Sequence, residues 1–216
     1  LNVISPASST LPLPPVIEIG PDEPPTPLPP PPGTTFDFSS SWTRGWSTGG
    51  ANGSPPYPFT RGSGGTASSG TGPSAGVGGS GYYYYAEVSS PRRQGDNFTL
   101  AYNGSTCSSL GLLVSRVAFY YHMYGSTMGD LRLCAQNGIP VSNDAHASCA
   151  AGSVQWYRSG DQGNVWQRTG DISVYSSSFH FEYTRGSDYT GDAAIAMVTV
   201  ECAHAPPALP SLPPQP

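Results

Sequence analysis

Residues 112–124 read Leu-Leu-Val-Ser-Arg-Val-Ala-Phe-Tyr-Tyr-His-Met-Tyr. Alternation puts Val117, Phe119, Tyr121 and Met123 on one side and Ala118, Tyr120, His122 and Tyr124 on the other. A period of two sustained over this length is the pattern of a β-strand with one face in a core. Phe179–Tyr183 repeats it, with Phe179, Phe181 and Tyr183 inward and His180 and Glu182 outward. If exposed, that outward pair makes an ion pair worth under about 1 kcal/mol. Ala193–Val200 is apolar on both faces, as expected of a central strand covered on both sides. Tyr82–Val88, Phe98–Tyr102, Leu131–Cys134, Val154–Tyr157 and Val165–Arg168 are further runs of β-formers. Turn sequences such as Asn103-Gly104, Asn137-Gly138-Ile139-Pro140 and Arg185-Gly186-Ser187-Asp188 separate the runs. No window of helical length carries an apolar stripe. The expected fold is all-β, a jelly-roll-like antiparallel β-sandwich.

Proline sets the limits of that body. Of 24 prolines in 216 residues, twelve fall in residues 1–35 and six in 203–216. Proline supplies no ladder N–H and settles into extended polyproline II. The reading is therefore an arm (1–35), a sandwich (36–202) and a tail (203–216), the two ends polyproline II-like. Within the first arm Val16, Ile17, Glu18 and Ile19 form a β-branched run, which either packs locally or adds a strand to a neighbour. Residues 44–81, almost all Gly, Ser, Thr and Pro, give the poorest signal. Tyr57, Phe59, Trp42 and Trp46 are expected to tack this stretch onto the surface.

Charged residues make up 11% of the chain, the net charge is -5 and lysine is absent, which gives no nucleic-acid footprint. No apolar run is long enough to span a bilayer. Leu1 in place of an initiator Met marks either a processed chain or a piece of a longer one. Of the four cysteines, Cys134 and Cys149 could close a loop of about 15 residues, leaving Cys107 with Cys202. The alternative is four buried thiols. No C-x-x-C and no histidine at zinc spacing is present, so no metal is expected there. The sequons at Asn97 and Asn103 and the even cysteine count fit an oxidising, extracellular location: secreted, cell surface or matrix.

Several segments, in order, resemble the MAM domain. Tyr121-His122-Met123-Tyr124-Gly125 with Met128-Gly129-Asp130-Leu131 resembles its central strand pair. Gly70–Ser74, Tyr85–Pro91, Arg158–Asn164 with Trp166-Gln167, and Thr184–Gly186 with Tyr189–Asp192 are similar to its other motifs. The resemblance implies an extracellular jelly roll used for adhesion or oligomerisation, without catalysis. Two departures stand out. The cysteines usual beside the first Phe and before the Gly-Trp are missing at Phe36-Asp37-Phe38 and Arg44-Gly45-Trp46. Carboxylates that hold a cation in some members are replaced by Ser39, Ala75 or Gly76, and Ala196-Met197, so no metal is expected at that site. The arms resemble hydroxyproline-rich glycoproteins of plant and algal walls. That resemblance makes Pro29, Pro30, Pro31, Pro32, Pro206 and Pro207 candidates for hydroxylation and O-glycosylation.

No catalytic group is assigned and no cofactor is expected. His122 with Asp130 and a serine, or a carboxylate pair drawn from Asp161, Asp171, Glu182, Asp188 and Asp192, are the weakly supported enzymatic options. The leading expectation is a structural or adhesive module binding other copies of itself or other extracellular glycoproteins, with head-to-tail fibre assembly through Val16–Ile19. The alternative is a carbohydrate-binding module, with Tyr83, Tyr85, Trp42 and Trp46 as surface aromatics for stacking on glycans; the other reading of the tyrosines is that they cover core edges beneath the Gly-rich loop.

Overall fold

A computed structural model describes residues 33–40, 45–50, 54–135, 149 and 153–205. The arm residues Val16–Ile19 and Pro29–Pro32, the tail residues Pro206 and Pro207, and Trp42 lie outside the described residues.

Among the described residues, thirteen strands account for nearly all the regular structure: β1 Thr34–Phe36, β2 Trp46–Thr48, β3 Tyr57–Pro58, β4 Thr60–Ser63, β5 Tyr82–Tyr85, β6 Asn97–Tyr102, β7 Leu113–Met123, β8 Asp130–Cys134, β9 Val154–Ser159, β10 Gln167–Arg168, β11 Ile172–Ser176, β12 Phe179–Thr184 and β13 Ala193–Ala203. A single helical turn, α1 Ser105–Ser108, precedes β7. The strands form two sheets. One has seven strands in the order β10-β7-β13-β5-β4, with β1 continuing on β13 and β11 on β7. The other has six in the order β2-β6-β12-β8-β9, with β3 also on β6. All pairings are antiparallel except β3 with β6. This is the expected sandwich, and every strong strand signal becomes a strand. β1 begins at Thr34, two residues ahead of the expected edge of the body.

Alternation explains the core. Val117, Phe119, Tyr121 and Met123 from β7 and Ile195, Val198 and Val200 from β13 meet Leu100, Leu131, Leu133, Phe179, Phe181 and Tyr183 from the facing sheet. Phe119 lies edge-on to Phe181 at 4.7 Å and to Trp156 at 5.0 Å. Such pairs add about 0.5–1.5 kcal/mol each beyond the burial of their area.

Residues 44–81 correct the expectation of a tacked-on loop, because they contain β2, β3 and β4. Tyr57 and Phe59 are buried in the main core. Trp46 is also a core residue, ringed by Phe36, Phe38, Tyr102, Phe179 and Phe181.

Candidate functional site

The outer face of the seven-stranded sheet carries a second, smaller apolar cluster. Tyr83, Ala194 and Ala196 form its centre, with Val77, Tyr85, Tyr120, Trp166 and Met197 packed around them. The Gly-rich segment that follows β4 lies across this face and is pinned at both ends: Tyr83 Oη donates to the Gly64 carbonyl at 2.8 Å, and Trp166 Nε1 donates to the Ala75 carbonyl at 2.8 Å. Central strand β13 is therefore covered on both sides, as its composition requires. Tyr83 is fully buried, which corrects its assignment as a surface aromatic. Tyr85 is half-buried, its hydroxyl 3.4 Å from Glu87 Oε2. Burial, followed by the charges of Glu87 and Asp192, pushes its phenol up to about 12. Tyr82 is the exposed ring of the run, with the Arg61 guanidinium 3.7 Å from its centroid. Trp166→Ala, which removes both the clamp on Ala75 and part of this cover, is expected to lower unfolding free energy by about 2–3 kcal/mol in urea titrations.

The same cover decides the cation question. Ala196 sits in the apolar cluster, Met197 packs against it, and the Ala75 carbonyl is taken by Trp166. Ser39 turns its N–H and hydroxyl to Asp37 Oδ1 at 3.0 and 2.8 Å. These residues do not fit the cation held by some members of the resembled family: the hard oxygen donors are replaced by methyl and thioether groups.

Among the described residues, His122 and His180 lie on different sheets. On β7, His122 is buried with Nε2 3.1 Å from Asn164 Oδ1 and its ring against Trp166. Burial lowers its pKa, while Asn164 and Asp161 oppose the shift. Asp130 lies on the other sheet, where it accepts from Arg132 Nη2 at 3.0 Å and from Tyr157 Oη at 3.0 Å. A Ser-His-Asp arrangement from these two residues is ruled out by the topology.

His180 and Glu182 do face outward from β12, but both are buried, which corrects the expectation of an exposed pair. The Arg132 guanidinium lies 3.5 Å from Glu182 Oε1, and the Cys149 N–H donates to Oε2 at 3.2 Å. Cys134 and Cys149 are bridged directly over this pair, and Cys107 on α1 is bridged to Cys202 near the end of β13. Both bridges follow the expected connectivity. A ring nitrogen of His180 and the two sulfurs of Cys134 and Cys149 lie within 4.8 Å of one another. Bonded to each other, the sulfurs are not thiolates, and the thiolate is the form that binds metal. Burial holds the His180 imidazole below its usual pKa, with Glu182 opposing, and its Nε2 has no hydrogen-bond partner.

A third buried polar group locks the loops at the head of β13. Asp192 is fully buried; its Oδ1 accepts the Val88 N–H at 3.2 Å, and its own N–H donates to Thr71 Oγ1 at 2.8 Å. Arg185 Nε donates to the Val88 carbonyl at 2.8 Å, so both polar groups of that residue are held. Asp192 Oδ2 has no partner. Burial is the main cause that pushes this carboxyl up to about 7, with the Val88 N–H opposing and the Glu87 charge adding to it.

The two sequons differ in setting. Asn97 is half-buried on β6 with a buried, unpartnered Oδ1, whereas Asn103 is exposed on the turn before α1. Among the described residues, no helix is long and apolar enough to cross a membrane.

No family model matches the sequence. Relatives are found among MAM domain-containing glycosylphosphatidylinositol anchor proteins. The chain is 37% identical over 143 residues to protein 1 of Rattus norvegicus, covering 63% of this chain and 14% of that protein. It is 33% identical over 150 residues to protein 2 of Mus musculus, covering 62% and 14%. The chain thus spans about a seventh of the length of these curated relatives. Among solved structures, the K2 cleaved adhesin domain of Lys-gingipain superposes with a TM-score of 0.52 at 13% identity, over 78% of this chain and 98% of that one. The K1 cleaved adhesin domain of Lys-gingipain from Porphyromonas gingivalis W83 gives 0.50 at 10% identity, over 78% and 96%. These structures share the sandwich fold.

Proposed function

We propose that the chain is an extracellular, non-catalytic module of MAM type that binds other proteins, and that copies of it associate head to tail through Val16–Ile19. The observation that carries the reading is the similarity to MAM-domain proteins at 37% identity, in a chain whose sandwich is closed by two disulfides. Buried His122, Glu182 and Asp192 support it, each being held in a fold contact: His122 with Asn164, Glu182 with the Cys149 N–H and Asp192 with the Val88 N–H. In this reading the proline arms act as stiff spacers, with Pro29–Pro32, Pro206 and Pro207 hydroxylated and glycosylated. Asn103, on its exposed turn, carries the N-glycan in preference to Asn97. Two of the four rings named for the carbohydrate-binding alternative point elsewhere, Tyr83 into a covered cluster and Trp46 against the core.

Deleting residues 1–20 should abolish filaments in negative-stain micrographs while leaving the melting temperature of the sandwich unchanged. Filaments of undiminished length from the deleted chain would dispose of strand donation.

A further inference from the structure

Edge strands expose backbone donors and acceptors that template pairing with another chain unless they are short, bent, charged or covered. Most edges here are protected in one of these ways. β2 and β3 have three and two residues. β11 is kinked by a register shift between Ser173 and Ser176, with Tyr175 at φ 36°. Arg61 ties β4 to the preceding chain through the Phe38 and Ser39 carbonyls at 2.8 and 2.7 Å.

β9 is the exception. Its six residues, Val-Gln-Trp-Tyr-Arg-Ser, end the six-stranded sheet and pair only with β8 among the described residues. The strand has no proline, and Arg158 is its single charge. Val154 and Tyr157 are 41% and 44% exposed. The Gly160 N–H donates to the Gly129 carbonyl at 3.0 Å, so by alternation Arg158 and Trp156 bond to β8. Tyr157 and Ser159 then present their N–H and C=O groups outward, the Ser159 carbonyl accepting from Gln162 Nε2 at 2.9 Å. The Arg158 guanidinium turns back and donates to the Tyr157 carbonyl at 2.8 Å, a side chain standing in for a missing strand.

We propose that this edge of β9 is the acceptor for Val16–Ile19 of a second copy, added antiparallel with Glu18 opposite Arg158. The inference rests on the head-to-tail reading above and names its acceptor. In that register Ile19 faces Tyr157 and Ile17 faces Ser159, each exchanging two backbone hydrogen bonds, while Glu18 draws Arg158 off the Tyr157 carbonyl and the Ile17 N–H displaces the Gln162 amide from the Ser159 carbonyl. Ile19 and Ile17 fall on the face of the exposed Tyr157 ring, and Glu18 on the face of Trp156. Pro15 and Pro21 bracket the donor run, so the added strand is confined to residues 16–20, which matches the C-terminal half of β9.

The arm's composition favours a second copy over the arm's own body. Residues 20–33 hold eight prolines and extend about 43 Å at 3.1 Å per residue. β1 joins the sandwich on the β5 side of β13, whereas β9 lies at the opposite flank, beside β11. Polyproline II of that length is stiff, which favours a second copy over doubling back. The contact is heterologous, and it propagates where its rotation does not close a ring.

The test uses the full chain in sedimentation velocity over a concentration series. Glu18→Arg and Arg158→Glu should each weaken association about tenfold or more, and the double reversal should restore it to about the wild-type level. Ser159→Pro removes an outward N–H that the domain's own ladder does not use; it should abolish association with the melting temperature retained. Single reversals that associate like the wild type, or a double reversal that fails to rescue, would overturn the assignment of β9. If the β9 variants are silent while deletion of residues 1–20 abolishes association, the head-to-tail reading stands and the acceptor lies elsewhere. If the wild-type chain stays monomeric throughout, both fall.

Discussion

Moving the protein from pH 5 to pH 8 is expected to cost about 3 kcal/mol of unfolding free energy at Asp192, and Asp192→Asn should remove that dependence. The carboxyl is raised from its ordinary value of 3.8 to about 7 by burial, with the Glu87 charge adding and the Val88 N–H and Thr66 side chain opposing. The folded state therefore holds a proton that the unfolded chain releases from about pH 4 upward. Stability is complete below that point and drains away as pH rises toward 7, at about 1.4 kcal/mol per unit. His122 and His180 act in the opposite sense: their pKa values are lowered in the fold, so they withdraw stability as pH falls below about 6.5. Comparing the variant with the wild type isolates Asp192, because the amide keeps an oxygen for the Val88 N–H and carries no charge. Urea titrations at pH 5 and pH 8 should show the variant gaining on the wild type by about 3 kcal/mol between the two. Parallel curves would mean that Asp192 is ionised throughout.

Removing the Cys107–Cys202 bridge by Cys107→Ala with Cys202→Ala should destabilise the sandwich by about 4–5 kcal/mol. The bridge spans 95 residues, and cross-linking a loop of that length withdraws far more freedom from the unfolded chain than a short one. The 15-residue loop of Cys134 and Cys149 is worth about 3 kcal/mol on the same model. The order of the two losses in denaturant is the check. A larger loss from the short loop would show that the bridge over His180 and Glu182 acts mainly by keeping that pair buried.

Strand alternation made the interior legible. β6, β7 and β12 are long, rich in aromatic and β-branched residues, and strictly alternating, so their inward faces follow from the chain alone. β1 to β4 were missed because each has two to four residues set among Gly, Ser, Thr and Pro, too short for any period to register. β11 was missed for a related reason: its bulge breaks the count within five residues. The larger omission concerns the outer faces. Periodicity placed Tyr83, His180 and Glu182 away from the core, and there they are. It carries no information on what lies over them. The Gly-rich chain before β5 covers Tyr83, and the bridge to Cys149 lies over His180 and Glu182. Of the candidate contact surface, only the donor run Val16–Ile19 was visible in the sequence. The open edge of β9 emerges from the order of strands in the sheet.

The pairing of β1 with β13 sets how the domain meets mechanical tension. Thr34 lies opposite Val200, so the chain enters and leaves at the same pole of the sandwich. A pull between whatever precedes Thr34 and whatever follows Ala203 would unzip that ladder rung by rung, a weak geometry compared with shearing it lengthwise. Cys202 sits at the outer end of β13, riveted to Cys107, and peeling from that terminus is arrested there before it reaches the central strands.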